Sequence, residues 1–318
     1  FCGKGNGSIC VYDLYTGVKL RTLYHHKTLV RILAWWPQSD IIMSVDASNV
    51  IFAYNVQNIP QKGWVAEKIL FQSRLDCGKS IVQILPGEAA GKFVLSTRES
   101  DYLWNIHGKQ DDARTKTPGI RKWIQHQQSP LHMICIEGAA ARIYAWSDWS
   151  EIASVSIGID TKGLQLKSVS SYMSGDRGRL LLELSELDGS ANTCGMHLLD
   201  AASLSIEIHS EKEGVAEAAN AKKDSETMSI NEGVVATEIL NPLLGPQLAA
   251  LAQRVAHIIG RDDNGRLIFL DTQSWVCSAD LDDLGISSVS YARHFFLPYD
   301  WFSGIRDVIC AVSDRDVV

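Results

Sequence analysis

Gly78-Lys79-Ser80 closes the string SRLDCGKSIVQIL, Ser73 to Leu85, with the three letters that end a phosphate-binding loop. Such a loop needs a glycine five positions before Gly78 and a helix after the serine, so that backbone N–H groups and the lysine surround the phosphates. Ser73 occupies the first of those places, and SIVQIL is a run suited to a strand. The string reads as a turn between strands. Histidine is the next candidate, with nine in the chain. His25 and His26 are adjacent, and neighbours in a strand point to opposite faces, so they cannot share one ion. His126 and His132 flank QQSP without partnering cysteines, and a histidine satisfied by backbone is the commoner outcome. The seven cysteines stand far apart, with no CxxC pair and an odd total, which suggests neither a zinc knuckle nor a disulfide framework. No GxSxG, HExxH or paired-carboxylate pattern supplies a nucleophile or a general base. No catalytic, cofactor-binding or metal-ligating residue is assigned.

What remains is chemistry suited to contact. Tryptophan concentrates in AWWPQSD and WSDWSEIASV, where Trp35 and Trp146 are expected in the core and others beside turns. Exposed aromatics and arginines anchor protein partners, so Trp36, Trp149 and Trp301 are candidate contacts. Arg114, Arg121 and Lys122, in the basic string ARTKTPGIRK, complete the candidate set, as groups that could meet an acidic partner.

Bulk composition narrows the partner. The chain has 318 residues, 46% hydrophobic and 21% charged, which is globular and rich enough for a sizeable core. Its 30 Lys plus Arg against 37 Asp plus Glu leave a net charge of -7, which argues against a surface built to neutralise nucleic-acid phosphates or anionic lipid. No apolar run is long enough to span a bilayer, and FCGKGNGSIC lacks the apolar core of a signal peptide. The expectation is a cytoplasmic protein. Both ends stop inside pattern elements, as if cut from a longer chain.

The elements that must carry these residues repeat. A short strand ending in an aromatic or leucine followed by a small polar residue recurs as ICVYDL, VIFAYNV, DYLWNI, RIYAWSD, GMHLLDA and RLIFLDT. Each lies between turn-prone strings, with an apolar strand before it and another after it, for units of about 40 to 45 residues. Four short strands per unit is the arrangement of a propeller blade, because one small antiparallel sheet buries little until its faces are stacked between neighbours. Asp or Asn at the strand end is expected to hydrogen-bond the following turn. Before the last unit the spacing stretches. There HSEKEGVAEAANAKKDSE is charged and alanine-rich, and 209–226 is read as a flexible insertion within a blade. After it, Leu248, Leu251 and Val255, with Ala252 beside them, are spaced for one face of a short helix.

VYDLYTG followed by RTLYHH resembles the signature of WD-repeat proteins. Longer strings, including RILAWWPQSDIIMSVDAS, GKFVLSTRESDYLW and FFLPYDWFSG, resemble the WD-repeat region of large fungal proteins that carry a NACHT nucleotide-binding domain upstream. That likeness runs along most of the chain. It implies an all-β WD-repeat propeller over 1–318, seven-bladed when complete, with partial blades at both ends. A C-terminal half-blade could also close a ring of six with the N-terminal strands, although flanking sequence is the preferred source of the missing strands. The likeness further implies a non-catalytic scaffold or sensor that binds a protein or other macromolecular ligand, with any oligomerisation through other domains. Few units keep Trp-Asp, and the usual Gly-His pair is replaced by His25-His26 or missing, which argues against the buried hydrogen-bond network of regular repeats surviving in every blade. The rival expectations are an enzyme with its site in the propeller channel, recognisable by carboxylates or histidines on the inner strands, and a fragment without independent role.

Overall fold

The computed structural model describes residues 1–13, 15–36, 40–59, 63–75, 79–87, 91–115, 121–159, 164–174, 177–186, 195–201, 204, 239–240, 246–262, 264–282, 290–297 and 309–310. They form an all-β propeller of six sheets. Blade 1 begins with β1 (Cys2–Gly3), β2 (Ser8–Tyr12) and β3 (Lys19–His25). Blade 2 holds β4 (Val30–Trp36), β5 (Ile41–Asp46), β6 (Val50–Ile59) and β7 (Gly63–Arg74). Blade 3 holds β8 (Ile81–Pro86), β9 (Lys92–Thr97), β10 (Ser100–Asn105) and β11 (Gln110–Thr115). Blade 4 holds β12 (Arg121–Gln125), β13 (His132–Glu137), β14 (Ala140–Ala145) and β15 (Glu151–Ile157). Blade 5 consists of β16 (Leu164–Ser174), β17 (Arg177–Glu186) and β18 (Gly195–Asp200) among the described residues. Then β19 (Ile239–Leu240) returns to blade 4 and pairs parallel with β15, a pairing that needs a long crossover and has all of blade 5 for one. Helix α1 (Pro246–Ala252) leads into blade 6, made of β20 (Val255–Arg261), β21 (Leu267–Asp271), β22 (Trp275–Ala279) and β23 (Tyr291–Phe296). Finally β24 (Ile309–Cys310) pairs antiparallel with β1 and joins the first sheet to the last part of the chain.

Alternation places each strand's apolar side chains on both blade faces, and the core divides accordingly into layers between blades. Ile42 of β5 packs with Ile9 and Val11 of blade 1, while its neighbours Ile41 and Met43 pack with Phe93 and Leu95 of blade 3. Between blades 3 and 4 lie Trp123, Trp146, Trp149 and Tyr144, and between blades 4 and 5 lie Ile134, Ile143, Leu180 and Leu182. Leu248 and Leu251 of α1 fill the layer between blades 5 and 6 with Met196, Leu198 and Phe269. The ring closes from blade 6 to blade 1 where Tyr15 packs edge-on to His294 and Arg266 donates to the Tyr15 hydroxyl at 3.2 Å.

The repeat strings occupy the third strand of blades 1 to 5. RLIFLDT differs, since β21 is the second strand of its sheet, and SYARHFF supplies β23 on the far edge of that sheet rather than a strand to blade 1. The C-terminal region therefore gives blade 1 one strand, β24, instead of two. The described residues form six blades; the expectation of seven applies to the full protein, with this chain incomplete. The helix runs over 246–252, so Leu248, Leu251 and Ala252 are buried on it while Val255 already begins β20. Residues 209–226 lie outside the described residues.

Candidate functional site

Lys79 and Ser80 sit between β7 and β8, in the step from blade 2 to blade 3, and a strand follows them. Lys79 pairs with the carboxylate of Glu99, and the Ser80 hydroxyl accepts from Arg31 Nη1 at 3.0 Å. Asn49 spans this step, donating to the Lys79 carbonyl at 2.6 Å and accepting from the Ile81 N–H at 3.1 Å. The lysine and serine are spent on the turn; Gly78 lies outside the described residues.

A serine, a histidine and an aspartate do come together, at a place no spacing announced. His26 Nε2 lies 2.7 Å from Ser44 Oγ, and its Nδ1 lies 3.4 Å from Asp46 Oδ2. The types are those of a hydrolytic triad, but nucleophilic catalysis needs a reachable oxygen. Ser44 is 0% exposed, His26 4% and Asp46 2%, so the set is sealed inside blade 2. The other Asp46 oxygen accepts from the N–H groups of Ser48 and Val50, which ties the β5–β6 turn. Gly7 brings the preceding blade in: its carbonyl accepts from the His26 N–H at 2.7 Å, its φ is +84°, and a Cβ there would lie 2.2 Å from the His26 carbonyl oxygen. Burial lowers the His26 pKa, with Asp46 pulling the other way. One buried network of this kind is thus present at blade 2, joined to blade 1 through the Gly7 carbonyl. His126 and His132 are likewise occupied locally. His126 Nε2 meets the Leu204 carbonyl at 2.8 Å, and His132 Nδ1 meets Ser129 Oγ at 2.6 Å.

The candidate contact residues separate. Trp36 is 2% exposed and packs between blades 2 and 3, and Trp149, at 0%, lies against Trp123 with ring centroids 5.7 Å apart. Both are core side chains and not surface anchors. Trp149 is carried inward by a turn in which its own φ is +62°. Trp35 is only partly buried and stacks on Phe1, while Trp146 is core as expected. Arg121 reaches between two blades: it meets Asp101 at 3.1 Å and Glu137 at 2.7 Å, with Ser96 donating to the other Asp101 oxygen at 2.6 Å. Lys122, next on β12, is half-buried. Arg114 is placed on β11 by its pairing with Asp101, and its side chain is not among those described. Trp301 lies outside the described residues. Among the described residues no group of three His, Cys, Asp or Glu side chains could hold a metal ion.

Other residues emerge only in three dimensions. Gln83 of β8 bridges to β12, donating to the Trp123 carbonyl and accepting from the Trp123 N–H at 2.9 Å. Glu183, 1% exposed, accepts from Lys167 at 2.5 Å and from Ser168 at 2.6 Å. The edge strands β24, β4, β8, β12 and β16 stand side by side in the inner layer, each against the next, for blades 1 to 5. GAAARI, Gly138 to Ile143, forms the β13–β14 turn and the start of β14, the third strand of blade 4.

Neither a protein-family model nor a curated protein matches this chain. Among solved structures 978 chains match. One of them, from the crystal structure of a mitotic checkpoint complex, covers 63% of this chain and 69% of its own, with a TM-score of 0.44 and 14% identity.

Proposed function

We propose that this ring is a non-catalytic platform that binds a protein partner. The observation that supports it most is the make-up of the inner strands of blades 2 to 5, β4, β8, β12 and β16, which contain no Asp, Glu or His; His257, on the first strand of blade 6, is offered no carboxylate or histidine partner by those strands. A channel enzyme would draw its general acids and bases from those strands. Among the described residues the Ser-His-Asp set is locked in a blade instead, and exposed turns such as those of Lys79 and Lys109 offer places where a rigid scaffold presents recognition residues. Among the described residues no helix is long and apolar enough to cross a membrane.

The resemblance to fungal NACHT/WD-repeat proteins supports a finer reading: a cytoplasmic sensing region whose nucleotide switch and oligomerisation belong to other domains, with 209–226 an insertion in a blade. A photo-reactive amino acid placed at exposed Lys79 or Lys109 tests the platform role in extracts of the source cells. One discrete protein adduct, formed from one face and competed by unlabelled chain, is the expected result. Absence of a competed adduct from any exposed turn on either face would sink the reading.

A further inference from the structure

In an antiparallel blade the fourth strand ends where the first one began, so each step to the next blade starts a new inner strand at the same face. The N-terminal ends of β4, β8, β12 and β16 therefore ring one mouth of the channel. Three of these strands carry a one-residue bulge. Val30 pairs with Asp46 and Ile32 with Val45, which leaves Arg31 extra; Ile81 pairs with Thr97 and Gln83 with Ser96, which leaves Val82 extra. On β16, Leu166 pairs with Leu184 and Ser168 with Glu183, which leaves Lys167 extra. A bulge re-aims the side chain it adds. Among the described side chains, Arg31, Val82 and Lys167 are the one exposed residue of β4, β8 and β16 respectively. On β12, which is regular, Lys122 holds the second position as Arg31 and Val82 do on theirs.

Charge gives this coincidence a direction. The four strands carry Arg31, Arg121, Lys122 and Lys167 and no carboxylate, in a chain of net charge -7. Arg121 is held by Asp101 and Glu137, and Lys167 by the buried Glu183 and by the Ala256 carbonyl at 3.1 Å. Arg31 donates to a neutral hydroxyl, that of Ser80. We propose that Arg31 and Lys122, with Val82 between them, form a cationic rim that takes an acidic protein segment; the proposal rests on the platform reading. A carboxylate pairs with guanidinium and ammonium groups here without facing a carboxylate of the inner strands. Val82 offers an aliphatic contact, which suits a peptide. A nucleic acid would find no exposed aromatic at these positions on which to stack.

The test is fluorescence anisotropy with a labelled peptide alternating glutamate and serine, its glutamine counterpart, and an oligothymidine of similar length. The full chain is expected to bind the glutamate peptide, more weakly as salt rises, and to ignore the other two probes. Arg31→Glu with Lys122→Glu is expected to weaken binding by about tenfold or more, and Arg31→Gln with Lys122→Gln by less. Lys109→Glu, on a turn of the opposite face, is expected to change it by under about twofold. Unfolding midpoints within a few degrees of the parent confirm that each variant is folded, and the milder glutamine pair serves if the glutamate pair is not. Tighter binding of oligothymidine, equal binding of the glutamine peptide, no binding of the glutamate peptide, or an unaffected charge-reversed pair each overturns the proposal. Protein adducts that persist in the charge-reversed pair locate the platform's contact elsewhere and leave the platform reading standing.

Discussion

His26 shows how a reactive-looking residue becomes a structural one. Its ring is bound by Ser44 and Asp46, packs edge-on to Phe52 with centroids 4.9 Å apart, and is capped by the Gly7 turn. His26→Ala is expected to cost about 1–3 kcal/mol, since buried Ser44 and Asp46 lose a partner; urea unfolding measures it. Burial lowers the pKa of His26, and likewise of His126, His132, His197, His257 and His294. Below about pH 6.5 the unfolded chain therefore binds protons that the folded chain refuses. Stability is expected to fall as pH drops from about 7.5 to 5.5, and less steeply in His26→Gln. A urea midpoint that stays flat or rises over that interval would contradict this. Burial similarly pushes the Cys277 thiol up to about 12, which makes it a packing group. At this scale the sequence was legible where chemistry is local. Asp13 accepts from the Tyr15 and Thr16 N–H groups and Asp271 from those of Gln273 and Trp275, as expected of strand-end acids. It was illegible for Trp36 and Trp149, because a tryptophan beside a turn can be folded inward and only the neighbouring blade decides that.

Between elements, the bond from Arg121 on β12 to Asp101 at the start of β10 fastens blade 4 to blade 3. Asp101 is 0% exposed, so removing its cation strands a charge away from water. Arg121→Met is expected to destabilise by about 3–5 kcal/mol, and Arg121→Met with Asp101→Leu by clearly less; chemical denaturation of the two variants decides it. Equal losses would mean the ion pair is not the fastening. Strand identity was readable from the recurring strings because two-residue alternation and turn residues are spelled locally. Bulges were not. Arg31 and Lys167 differ from their neighbours by being left out of a pairing, which is a property of two strands at once. The helix end at Ala252 was equally hidden, since Val255 continues the apolar spacing while joining β20.

For the whole molecule, the propeller class followed from repeated units that cannot bury themselves alone. The blade number and closure did not, because a two-residue strand such as β24 has no periodicity to detect and the helix and β19 lengthen the last interval. That short strand is the inner edge of blade 1. A chain ending at residue 300 is expected to lose several degrees of thermal midpoint or to unfold in two steps, with the blade 1 to blade 2 layer of Ile9, Val30 and Phe52 exposed first; calorimetry distinguishes these from an unchanged single transition, which would show that closure through β24 adds nothing. The parallel lacing of β19 onto β15 has an effect of another kind. Blade 5 is a loop whose two ends are both stitched into blade 4, so neither sheet can peel away while the other stays whole. Thermodynamically the ring has six leaves but one double page, and damage to either half of it is shared.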